Sequence, residues 1–164
     1  MVAVSNTSPL YYLIAVGRAD LLGQLFGEVL IPPGVASELA HPARPAAVRQ
    51  WIDRPPTWLR IRSLNQEPDA ELLRDLDLGE REAIQLAVES KADALIMDER
   101  KGRAIVQRRG LPLIGALGVL GETHQRGFLD DPVLVLQAMR QRGFRISDEL
   151  VAKFEVLLNT RYAR

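Results

Sequence analysis

Short, uninterrupted apolar runs alternate along the chain with longer stretches in which apolar residues recur every three or four positions. The first kind marks strands buried on both faces and the second marks helices with one buried face. The strand runs are Val2-Ala3-Val4-Ser5, Glu28-Val29-Leu30-Ile31, Ala94-Leu95-Ile96-Met97 and Leu111-Pro112-Leu113-Ile114. Residues 58–61 add an edge strand or extended segment, and Pro112 puts the last run at a sheet edge or a strand start. Helices are predicted over 10–16, 20–26, 34–40, 46–53 and 69–76, then from Gly79 to a turn at 91–93, then over 102–109, 115–126, 132–142 and 148–159. Glycines 17, 27, 110 and 127 and the pairs Pro32-Pro33 and Pro55-Pro56 punctuate them. Ser8 is placed to cap the first helix, with Pro9 at its first position, where a missing N–H costs nothing.

Strands separated by helices imply a parallel sheet with right-handed crossovers. The expected fold is a three-layer α/β/α domain with a short sheet of about four to five strands over residues 1–130. Two further helices, 131–164, are expected to pack on the same domain. In such a sheet the carboxyl ends of the strands share one edge, the usual place for a ligand site. Asn6-Thr7-Ser8 follows the first strand, Glu38 lies on the helix after the second, and Asp98-Glu99 ends the third. Glu80 enters the same edge: at about 100° per residue it falls within the arc of Ala83, Leu86 and Ala87, aimed towards the strand end that carries Asp98.

The 164 residues carry no Cys and two His, so a hard, all-oxygen site for Mg²⁺ or Mn²⁺ is expected rather than a zinc site. Net charge is zero but unevenly spread: residues 1–99 hold 9 basic against 15 acidic groups, and 100–164 hold 12 against 6. An acidic site beside a basic surface suits a polyanion held next to metal ions; it equally suits a partner-bound or self-associating protein. Arg100, Lys101 and Arg103 lie just past Asp98, where they would meet phosphates. The simpler alternative makes Asp98 a cap of the next helix, Glu80 a cap of its own and Glu38 a solvated helix residue. Clustering weighs against it, because unpaired carboxylates repel without a cation. There is no nucleophile elbow, GxGxxG or Walker A pattern. No run of about 18 apolar residues spans a membrane, and the amino terminus lacks a basic signal-peptide region, so a cytoplasmic protein is expected.

The order VAVSNTSPL, VLIPPGVASEL, LGEREAIQLA and ALIMDERKGR resembles the PIN domain, to which the VapC-type toxins of toxin–antitoxin pairs belong. The opening SNTSPL and the run MDERKGR are most similar to a branch described as predicted nucleic-acid binding. The resemblance implies a divalent-metal-dependent ribonuclease that acts on RNA, often as a dimer, and is held inactive by a small antitoxin. By that resemblance Asn6, Glu38, Glu80 and Asp98 surround the metal and Glu38, Glu80 and Asp98 carry the catalysis. Glu82 and Glu99 are substitute ligands, and Thr7 and Ser8 are outer-shell hydroxyls. The family's first Asp is Asn6 here, an uncharged and weaker ligand. A catalytically weak RNA- or protein-binding module is therefore the alternative.

Overall fold

The computed structural model describes all 164 residues. Five parallel strands, β1 (Val2–Ser5), β2 (Glu28–Ile31), β3 (Leu59–Ile61), β4 (Ala94–Ile96) and β5 (Leu113–Ile114), form one sheet in the order β3-β2-β1-β4-β5. The two runs with edge character, β3 and the proline-preceded β5, are the edges. On central β1, Ala3 aligns with Val29 on one side and Ala94 on the other.

The layers follow from strand alternation. Ala3, Val29, Ile31 and Ile96 face one core of 27 buried residues. That core takes apolar faces from α1 (Thr7–Ala15), α2 (Asp20–Phe26), α3 (Pro33–Leu39) and α4 (Ala46–Asp53). It also takes them from α8 (Ala116–Gln125), α9 (Pro132–Gln141) and α10 (Asp148–Leu158). Val4, Leu30, Leu95 and Met97 face a second core of 13 residues with α5 (Ala70–Asp75), α6 (Leu78–Ser90) and α7 (Arg100–Arg108). Trp51 and Trp58 pack on each other, centroids 5.9 Å apart, against the larger core. No helix is long and apolar enough to cross a membrane.

Two helix starts differ from the sequence expectation. α1 begins at Thr7 with Asn6 as its N-cap, so Ser8 and Pro9 lie inside its first turn. β1 and α1 are joined by a single residue, which leaves no room for Ser8 to stand outside the helix. α7 likewise begins at Arg100, with Glu99 as N-cap and no side-chain cap, so Asp98 does not cap it.

The C-terminal helices share the larger core: Leu136, Met139 and Phe154 lie in the same cluster as Ala3 and Leu10, each 1 % exposed or less. Phe154→Ala is expected to destabilise the whole chain by about 3–5 kcal/mol. In urea the variant should unfold in one transition at lower denaturant; an early transition confined to α9 and α10 would show instead that they fold as a separate unit.

Candidate active site

The carboxyl edge of β1 and β2 is organised by two helices from opposite layers, α3 and α6. α6 opens with a complete capping box: Asp77 Oδ1 accepts from Glu80 N at 2.9 Å, and Glu80 Oε2 accepts from Asp77 N at 3.2 Å. This fixes the first turn of α6 against α3. Gly79 N then donates to Glu38 Oε1 at 3.0 Å, while Thr7 Oγ1 donates to Glu38 Oε2. Reciprocally, Gly34 N at the start of α3 donates to Glu82 Oε2 at 2.6 Å. Both glycines are needed for close approach: a Cβ on Gly79 would stand 2.5 Å from Glu38 Oε2, and one on Gly34 2.7 Å from Glu82 Oε2.

Between these groups lies an open cavity of about 230 Å³. Asn6, Thr7 and Ser8 form one wall and Glu38, Asp77, Glu80 and Glu99 supply four carboxylates, with Tyr11, Tyr12 and Arg44 completing it. The structure thus brings together six of the residues read from the sequence: Asn6, Thr7, Ser8, Glu38, Glu80 and Glu99. Glu82 is turned to Gly34 N and does not line the cavity.

Asp98 lies apart as well. Its Oδ1 accepts from Ala116 N, at the start of α8, at 2.9 Å, and its Oδ2 is buried without a hydrogen-bond partner. It lines a neighbouring cavity of about 550 Å³ with Arg103, Phe144 and Arg145. Arg103 reaches back to donate to Met97 O at 2.9 Å, whereas Arg100 and Lys101 are exposed on the first turn of α7. Burial raises the Asp98 carboxyl above the usual range; the Ala116 bond and the Arg103 charge oppose it.

The electrostatics of the acidic cavity are strained. Glu80 is pushed from an ordinary 4.5 up to about 7, first by burial and then by the charge of Asp77, with Glu99 and Glu38 adding to it. Only the capping bond to Asp77 N pulls the other way. Every donor facing the cavity from these groups is oxygen, which in kind fits a hard divalent cation. No three His, Cys, Asp or Glu side chains are gathered tightly enough to enclose a metal ion as they stand. Glu38, Asp77 and Glu80 are each held by a backbone N–H group instead.

A family model described as PIN domain matches residues 2–160. The chain belongs to the PIN-domain family. The match runs through α9 and α10, beyond the stretch that the sequence motifs cover. The PIN domain is a nuclease-type fold, associated with nucleic-acid binding and generally with divalent metals. No curated protein matches the chain. Four cavity residues of this PIN domain are not apparent from strand-end position: Asp77, Tyr11, Tyr12 and Arg44. Asp77 was legible as the partner of Glu80 in a D-x-x-E capping box; Arg44, in a proline-flanked loop, carries no comparable signal.

A carboxyl whose folded pKa exceeds its unfolded one binds its proton more tightly in the folded chain. Stability therefore falls as pH rises from about 4.5 to about 7 and levels off above that window. Glu80→Gln keeps an oxygen to accept from Asp77 N but removes this titration. In chelator its melting temperature is expected to match wild type near pH 4 and to exceed it at pH 8. Parallel pH profiles for the two proteins would show that Glu80 is not strained.

Proposed function

We propose that this PIN domain hydrolyses RNA phosphodiesters at the acidic cavity, with Mg²⁺ or Mn²⁺ as cofactor. The observation that carries the reading is the crowding of four carboxylates around one small polar cavity, where burial first and the neighbouring charges second raise Glu80 to about 7. Such crowding is unfavourable without a cation and is relieved by one. Asn6, Glu38 and Glu80, with Glu99 at the rim, are the groups that would hold the ion, which supplies charge neutralisation and an activated water for in-line displacement. Thr7 keeps the Glu38 carboxylate in place through its hydroxyl, and Ser8 is the second hydroxyl on that wall. Exposed Arg100 and Lys101 serve the phosphates of the strand outside the cavity. Asp98, held by Ala116 N, is the fourth ligand in the family pattern and stands next to Glu99 on the chain. A toxin role, with a small antitoxin as partner and a homodimer as the working form, rests on the family resemblance alone.

A second reading has its own observation. Asn6 stands where the family pattern has Asp, and Glu38 and Glu82 are both occupied by glycine N–H groups. On this reading the domain binds RNA and cleaves it weakly or not at all.

Purified protein incubated with single-stranded RNA is expected to cleave in Mn²⁺ or Mg²⁺ and not in chelator, with Glu80→Gln and Glu38→Gln lowering the rate by roughly 100-fold or more. Asp98→Asn decides whether the fourth ligand is needed. Metal-independent cleavage, or full activity in Glu80→Gln, would remove the nuclease assignment to this cavity. RNA binding without cleavage, converted to cleavage by Asn6→Asp, would establish the second reading.

A further inference from the structure

Given the nuclease reading of the acidic cavity, we infer that Arg44 is its phosphate-binding group, a guanidinium set to grip the non-bridging oxygens of one phosphodiester. Arg44 is the only basic residue among the ten that line the cavity. It sits in the loop His41-Pro42-Ala43-Arg44-Pro45 between α3 and α4, where residues 41–43 and 45–47 are all exposed and Arg44 alone is half-buried. A surface arginine drawn inward against four carboxylates would normally be explained by an ion pair. Arg44 makes none.

Its position is fixed by other means. Nε donates to Glu38 O at 3.1 Å, and the guanidinium carbon lies 4.6 Å from the centroid of the Tyr11 ring. The loop is itself braced: Arg44 N donates to His41 O at 2.9 Å, Ala43 N to His41 Nδ1 at 3.0 Å, and Arg49 Nε to Arg44 O at 3.1 Å. One edge of the guanidinium and one face are thus spent on the protein. The two terminal nitrogens have no protein partner, which leaves the fork that matches a phosphate's paired oxygens. Being held beforehand, the fork loses little freedom on binding. The charge balance requires such a group: a phosphodiester entering a cavity of four carboxylates meets repulsion on every side but this one.

Arg44→Ala, Arg44→Lys and, as a control of equal charge change, Arg54→Ala are compared. Arg54 is exposed at the end of α4 and outside the cavity. A fluorescently labelled 12-nucleotide single-stranded RNA is titrated in Ca²⁺, and log Kd is followed against log[KCl]. Arg44→Ala is expected to weaken binding about tenfold and to flatten the salt slope by about 0.7, the loss of one phosphate contact. Arg44→Lys should keep most of the slope while lowering the Mn²⁺ cleavage rate, because the charge remains and the fork is gone. Arg54→Ala should change Kd less than twofold. Wild-type affinity and slope in Arg44→Ala would overturn the assignment of Arg44 and leave the nuclease reading standing. If the wild type binds but never cleaves, the nuclease reading fails and the slope comparison still decides the role of Arg44. Absence of RNA binding by the wild type overturns both.

Discussion

The candidate site depends on an exchange of carboxylates between two helices. Glu38 of α3 accepts from Gly79 N in the first turn of α6, and Glu82 of α6 accepts from Gly34 N in the first turn of α3. The helices belong to different layers, one packed into each core, and they meet only beyond the carboxyl edge of the sheet. Each bond places a negative charge on an N–H group that its own helix leaves unpaired, at the positive end of a helix dipole. Such charge-assisted bonds are the strong kind, on the order of 1.5–3 kcal/mol each. Both require a glycine, since any Cβ at 34 or 79 would strike the incoming carboxylate. The lock that joins the layers therefore also sets the spacing of the cavity between them.

That lock uses part of the acidic charge of the edge and leaves the rest uncompensated. Glu82 accepts from Gly34 N and does not line the cavity, while Glu38 lines it with both oxygens engaged, one by Gly79 N and the other by the Thr7 hydroxyl. Glu80 carries the residual strain, because its capping bond is weaker than the combined effect of burial and three neighbouring carboxylates. A side chain left poised near neutral pH inside a polar cavity is a feature of functional sites, where local stability is given up for chemistry. Under the proposed function, a cation in the cavity would relieve it.

Most of the fold was legible because its signals are local. The strands, the two edges and helices such as Asp20–Phe26 and Ala46–Asp53 follow from apolar period and from the prolines and glycines that bound them. That Glu80 reaches the edge cavity agrees with its helical phase, but its direction does not: it turns back to Asp77 N as a cap of its own helix instead of towards Asp98, which lines a different cavity. Asp98 shows the limit of such reasoning. A strand end can face either neighbour, and the N–H of Ala116, 18 residues away, draws the carboxylate towards β5 and α8. Nothing in the local pattern encodes that partner. Arg44 was hidden for the same reason: its role comes from Tyr11 and a Glu38 carbonyl, contacts that exist only once α1 and α3 are side by side.

Asn6 belongs to the same electrostatic balance. It is 3 % exposed, and its backbone N–H is tied to Ile96 O between the two central strands. A carboxylate in its place would be desolvated beside Glu38 and Glu80 with no side-chain cap bond to hold it. Another such charge would raise the repulsion that already acts on Glu80. The amide removes that charge while Asn6 still lines the cavity. The site is then less costly to fold as it stands, and under the proposed function it would hold a cation less tightly than one with Asp at this position. With Asn6 in place of a carboxylate, the cavity sets four carboxylates rather than five against the single guanidinium of Arg44.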